Sequence, residues 1–146
     1  MALFSELGLN EQLLASVEEL GFTEPTTIQE KAIPVLLSGT KDFIGLAQTG
    51  TGKTAAFGLP LLQLIDTSKK YPQALVICPT RELCMQIVNE VENFKKHSKG
   101  IHLVAVYGGT SISQQIRDIR RGVQIVVATP GRLIDLIERK AINLEE

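Results

Sequence analysis

The sequence has few of the features that mark secreted, membrane-spanning or charge-coated proteins. It holds only two cysteines, Cys78 and Cys84, in 146 residues. They do not form a CxxC pair, so a disulfide framework is not expected and a reducing, cytoplasmic setting fits. No apolar run approaches the roughly 18 residues of a membrane span, and residues 1–10 lack the basic-then-apolar pattern of a signal peptide. The formal net charge is −1, which argues against coating nucleic acid by charge alone. A narrow groove lined by a few arginines stays open. His97 and His102 have no partners at metal-ligand spacing. There is no internal repeat and no low-complexity stretch. At this length the chain is expected to be one domain, able to bury about 70% of its unfolded surface without metal or disulfide staples.

What is present is organised around Ala47-Gln48-Thr49-Gly50-Thr51-Gly52-Lys53-Thr54. An apolar run from Asp42 to Ala47 precedes the glycines and is expected to be a strand. A helix is expected from Thr54 to Ile65, with Pro60 an irregularity inside it. Strand, glycine loop and helix are the context of a phosphate-binding loop. Glycines let successive N–H groups turn inward around phosphate oxygens. The helix start adds unpaired N–H groups and the positive end of its dipole. Lys53 would bring its charge to the β- and γ-phosphates, and Thr54 its hydroxyl to Mg2+. These two are the candidate catalytic residues, and Gln48, Thr49, Gly50, Thr51 and Gly52 are candidate nucleotide contacts. Ala47 departs from the strict GxxxxGK[ST] pattern, which has glycine there.

The rest of the chain alternates. Leu13, Leu14, Val17 and Leu20 space a helix over residues 10–20, with Asn10 as N-cap. A second helix carries Ile28, Ala32, Val35 and Leu36, is expected to kink at Pro34 and stops at Gly39. Further strands are expected at Ala74–Cys78, His102–Tyr107 and Val123–Ala128. Helices are expected at Arg81–Lys96, Ser113–Arg121 and Gly131–Arg139. The strands are rich in Val and Ile and scarcely alternate, as in a parallel sheet covered on both faces by helices. The class is therefore α/β. Lys95 to Gly100 is expected to be a solvated helix end. Ligands of such sheets bind beyond the carboxyl ends of the strands. Those ends carry Gln48–Lys53, Pro79-Thr80-Arg81-Glu82, Gly108-Gly109 and Thr129-Pro130-Gly131-Arg132.

Taken together these stretches resemble the DEAD-box RNA helicases. Gly21-Phe22-x-x-Pro25-Thr26-x-Ile28-Gln29 resembles that family's Q motif, with Phe4 as its isolated upstream aromatic. AQTGTGKT is similar to the family's form of the phosphate loop, which accounts for Ala47. Pro79-Thr80-Arg81-Glu82-Leu83 resembles motif Ia, Gly108-Gly109 the glycine pair and Thr129-Pro130-Gly131-Arg132 motif Ib. The resemblance runs from about Phe4 to Arg132. It implies the first helicase domain, a P-loop, RecA-like sheet with residues 1–40 as the Q-motif region and 41–146 as the P-loop core. It implies ATP or ADP with Mg2+ as ligands. Phe22 would stack on adenine, and Gln29 would pair its amide with the amine and ring-nitrogen edge of that base, favouring ATP over GTP; Thr27 is a further candidate nucleotide contact. Pro79, Thr80, Arg81, Glu82, Gly108, Gly109, Thr129, Pro130, Gly131 and Arg132 would hold the RNA backbone without reading bases. Each role has a plainer alternative: Phe22 as a core aromatic, Gln29 as an exposed helix residue, Arg81 in an ion pair with a neighbouring acid.

Hydrolysis by such a loop needs carboxylates at a second strand end. The family supplies them as Asp-Glu-Ala-Asp, and no strand expected here ends that way. The family's Ser-Ala-Thr motif and second helicase domain are also missing from the sequence. The chain is thus expected to be incomplete at its C-terminus, a monomer with no membrane partner, binding adenine nucleotide and RNA but not turning ATP over alone. Two other readings remain at this point: a self-sufficient nucleotide- and RNA-binding module, and an unrelated P-loop ATPase. Cys84, where the family motif has alanine, is either a thiol activated by its helix N-terminus or a packed core cysteine.

Overall fold

The computed structural model describes residues 3–39, 41–47 and 52–144. Its contacts divide the chain into two compact units, residues 1–64 with 90–99, and residues 65–89 with 100–146.

The first unit is helical. A short 3-10 turn, Phe4–Glu6, leads to α1 (Glu11–Glu19), α2 (Thr27–Leu37) and α3 (Lys53–Leu64). Asn10 caps α1 as its sequence suggests, its Oδ1 accepting from the Leu13 N–H at 3.0 Å. Both α2 and α3 run through their prolines, Pro34 and Pro60. A proline removes one N–H but leaves the turns on either side able to bond. The two helices pack on each other, and Leu13, Ile33 and Leu59 are fully buried. Gln63 ties α3 to the entry of α1: its Oε1 accepts from the Asn10 N–H at 2.8 Å, and its Nε2 donates to the Gly8 carbonyl at 2.9 Å. The basic stretch after residue 94 is not simply solvated. Lys96 and His97 both reach Glu19, at 3.1 and 2.8 Å. Hydrogen bonds from Lys96 and then His97 hold the Glu19 carboxyl below its ordinary range.

The second unit is a parallel three-stranded sheet in the order β1-β3-β2: β1 (Ala74–Ile77), β2 (Leu103–Val106) and β3 (Ile125–Ala128). Ile77 and Val106 both stand level with Ala128, so the three strands end together. Helix α4 (Arg81–Phe94) follows β1, α5 (Ile112–Arg120) follows β2 and α6 (Pro130–Glu138) follows β3. Val104, Val106, Val126 and Ala128 face one core with Ile119 of α5 and Leu133 and Leu136 of α6. At the strand starts the fully buried Gln124 joins neighbouring segments. Its Oε1 accepts from the His102 N–H at 2.8 Å, and its Nε2 donates to the Gly100 carbonyl at 2.9 Å.

Two expectations are corrected. Burial on both faces holds for β3 alone; Leu75 and Ile77 of β1 are exposed. A central strand is flanked on both sides, whereas among the described residues β1 pairs with β3 alone. The run Asp42–Ala47 is not a strand, and Ile44 and Leu46 are 93% and 95% exposed. Apolar composition gives a segment β propensity, but a strand exists only by pairing. No ladder among the described residues includes this run.

Candidate nucleotide and RNA-binding sites

In the first unit the site is built on two helix starts. Thr26 caps α2 through a reciprocal pair: the Gln29 N–H donates to Thr26 Oγ1 at 3.4 Å, and the Thr26 N–H donates to Gln29 Oε1 at 2.9 Å. Thr–x–x–Gln is a capping-box sequence, and here it locks the Gln29 rotamer. Gln29 is buried, not an exposed helix residue. Its Nε2 donates to the Gly52 carbonyl at 3.2 Å. That carbonyl also accepts the Ala56 N–H at 3.1 Å, the first bond of α3. Gly52 has φ +81°, and a Cβ there would fall on the Gln29 amide nitrogen. Gly52, the last glycine of the candidate phosphate-binding stretch, is thus required twice over, by backbone conformation and by space.

Lys53 opens α3 one residue earlier than its spacing suggests, and its side chain is exposed. Thr54 is half-buried beside it. The N–H groups of this first turn have no intrahelical acceptor. Gln48, Thr49, Gly50 and Thr51 lie outside the described residues. Phe22 is 38% exposed; Phe4 stacks on it at 6.3 Å and Phe94 meets it edge-on at 6.2 Å. Thr27, the first residue of α2, is exposed. Among the described residues no cluster of His, Cys, Asp or Glu could hold a metal ion. The Thr54 hydroxyl is a suitable single protein ligand for Mg2+, which keeps water and phosphate oxygens as its other ligands.

In the second unit the three loops open from one level. The ladder runs one residue past the strands, through the Cys78 N–H to the Ala128 carbonyl and the Thr129 N–H to the Val106 carbonyl, both 3.0 Å. Pro79 and Thr80 are exposed, and Thr80 Oγ1 accepts from the Leu83 N–H at the start of α4. Arg81 and Glu82 are exposed in that helix's first turn. The Arg81 guanidinium lies 5.2 Å over the Tyr107 ring, and among the described residues no acid is within ion-pair distance of it. Gly108 and Gly109 are exposed, and Gly109 has φ +84°. Thr129 caps α6 with extended backbone, followed by Pro130 and the exposed Gly131. Arg132 donates to Gln115 Oε1 at 2.8 Å and to the Thr110 carbonyl at 3.3 Å. The structure therefore brings Arg81, the glycine pair and Arg132 to one edge. Sequence reasoning missed Tyr107 and Gln115. Gln115 had a signal, a polar residue on the apolar stripe Ile112, Ile116 and Ile119. An open hollow of about 320 Å³ lies at the opposite strand ends, beside His102 and Asp118, away from these loops.

The cysteine question is settled toward packing. Cys78 and Cys84 are free and buried, with their sulfurs 2.7 Å apart. Burial, then the hydrogen bond with Cys78, pushes the Cys84 thiol from 9.0 up to about 12. Desolvation outweighs the helix N-terminus here. At neutral pH the folded chain should alkylate Cys84 far more slowly than the unfolded chain, following the loss of thiolate. Equal maleimide labelling rates in buffer and in guanidinium would contradict the burial argument.

The family model described as DEAD/DEAH box helicase matches residues 26–146. The chain belongs to the DEAD/DEAH box helicase family. It is 55% identical over 143 residues to the DEAD-box ATP-dependent RNA helicase CshA of Streptococcus pneumoniae, covering 98% of this chain and 27% of that protein. It is 48% identical over 143 residues to the ATP-dependent RNA helicase DeaD of Escherichia coli, covering 98% and 23%. This DEAD/DEAH box chain thus spans about a quarter of the length of the relatives it matches. Its fold is similar to a DEAD box protein from the hyperthermophile Methanococcus jannaschii, with TM-score 0.92, 38% identity and coverage of 98% and 39%. It is also similar to a variant of Saccharomyces cerevisiae Dbp5 bound to RNA and ADP BeF3, with TM-score 0.88, 35% identity and coverage of 99% and 36%. The α/β class read from the strand–helix pattern and the RecA-like fold implied by the resemblance both hold. Among the described residues no helix is long and apolar enough to cross a membrane.

Proposed function

We propose that this chain is the ATP-binding part of an ATP-dependent RNA helicase, with one portion of the RNA groove on its second unit. The observation that carries the nucleotide half is the Gln29 amide on the Gly52 carbonyl. It ties the residue assigned to adenine to the start of the phosphate-loop helix. Phe22 would stack on adenine, an interaction worth about 1–3 kcal/mol for a base on an aromatic ring. Gln29 would offer its remaining donor and lone pair to the amine-bearing edge, which guanine lacks. The unpaired N–H groups of α3 and the Lys53 ammonium would hold phosphates. Thr54 would hold Mg2+, whose charge helps offset that of the phosphates.

Arg81, Thr129 and Arg132 would grip phosphates of a single RNA strand, with Gly108-Gly109 letting the backbone approach. Pro79, Thr80, Pro130 and Gly131 shape those loops, and Glu82 supports the helix start instead of meeting an anion. The helicase relatives and the RNA-bound Dbp5 neighbour support this reading. So does the joint placement of Arg81 and Arg132.

The residues that would activate water are not in this sequence, so the chain alone is expected to bind nucleotide without turning it over. A partner helicase domain would supply the rest of the groove. The test is ATP turnover and ADP-against-GDP competition, with Lys53→Ala as control. Expected are no turnover above the control, tenfold or greater preference for ADP, roughly the value of one good bidentate base contact, and weakened binding in Lys53→Ala. Equal ADP and GDP affinities would remove the adenine role from Gln29. RNA-stimulated turnover lost in Lys53→Ala would place a catalytic acid within these residues.

A further inference from the structure

Gln115 is the unusual residue of the second unit. It sits 6% exposed on the core-facing stripe of α5. An apolar side chain of the same size would fill that place without desolvating an amide. Every part of its amide is instead used. Oε1 accepts from Arg132 Nη1 at 2.8 Å. Nε2 donates to the Tyr107 carbonyl at 3.1 Å and to Thr110 Oγ1 at 2.9 Å. Tyr107 follows β2 directly, and its ring carries the Arg81 guanidinium. The contacts make one chain: Arg81 on the Tyr107 ring, the Tyr107 carbonyl on Gln115, and Gln115 on Arg132.

We infer that Gln115 and Tyr107 are positioning residues that set Arg132 and Arg81 in place before RNA arrives. The inference rests on the reading of those arginines as phosphate contacts. An unrestrained arginine loses rotamer freedom when it binds, and a guanidinium held beforehand loses less. Arg132 has five N–H donors, and the two bonds made here involve only Nη1 and Nη2. It can be held from within and still offer donors to a phosphate. Arg81 leans on a ring face, a contact that leaves its N–H edge free.

The test is binding of a fluorescent oligouridylate to the full chain across a salt series. Gln115→Met removes the amide while keeping the volume. It should weaken binding about tenfold in the wild-type background and less than twofold in Arg132→Ala, since residues coupled through one bond are not additive. Its salt slope should fall by about 0.7, the loss of one phosphate contact, with the melting temperature nearly unchanged. Tyr107→Leu should behave the same way toward Arg81→Ala.

A Gln115→Met loss that persists in Arg132→Ala, or that tracks a lowered melting temperature, would make Gln115 a purely structural residue. No loss at all would overturn the inference directly. If Arg132→Ala itself leaves affinity unchanged, the phosphate-contact reading fails first and the positioning role goes with it.

Discussion

Gly52→Ala should lower adenine-nucleotide affinity roughly a hundredfold. Two costs add. Gly52 holds φ +81°, a conformation that costs a residue with a Cβ about 1–2 kcal/mol. The new methyl also falls on the Gln29 amide nitrogen. Gln29 cannot swing aside cheaply. It is buried, and its Oε1 and backbone N–H are both committed to Thr26. Breaking its bond to Gly52 leaves a buried donor unsatisfied, at about 1–3 kcal/mol. Where the nucleotide-free loop relaxes to escape both costs and the nucleotide must restore the geometry, a sum near 3 kcal/mol is about two decades in affinity. Calorimetric titration with ADP measures it. Thr26→Ala is the comparison: it breaks only the cap, worth about 0.5–2 kcal/mol, and should cost stability more than affinity. Affinity of Gly52→Ala within threefold of wild type would show that the loop tolerates a Cβ here and that the Gln29 bond is dispensable.

Leu136→Ala should be the most destabilising single truncation in the second unit. Leu136 is fully buried in the cluster formed by the sheet, α5 and α6. Removing such a side chain costs about 2–5 kcal/mol through lost transfer energy and the cavity left behind. Domains of this size hold only about 5–15 kcal/mol in total, so the melting temperature should fall by roughly 10 °C. Ile134, two residues earlier on the same helix, is 55% exposed; Ile134→Ala should stay within about 0.5 kcal/mol of wild type. Similar losses from both would mean that the buried face of α6 is assigned incorrectly.

Local chemistry was legible in the sequence where it acts over a few residues. Asn10 before an apolar stripe announces a helix start and caps as its spacing suggests. The three β–α units from residue 74 onward were legible too, because their Val- and Ile-rich runs are followed by turn residues. Boundaries shifted by a residue or two, as helix ends commonly do. Asp42–Ala47 was misjudged for a physical reason: composition says a segment can pair, not that a neighbour is there. Gln29 was legible as a site residue and Gln115 was not, and neither was legible as a hydrogen-bonding hub. Their partners lie 23 and up to 17 positions away, and no local periodicity encodes such a meeting.

The level ending of β1, β3 and β2 also sets a length scale. Neighbouring strands in a sheet lie about 4.8 Å apart, so the three loops start about 5 Å from one another and about 10 Å from first to last. Such an edge works as a short comb. Its teeth are bonded to one ladder, so they move together. On the proposed RNA-binding reading it would engage roughly two or three successive phosphates, which would limit its salt slope to about −2. Any longer footprint must come from surface that these three loops do not provide.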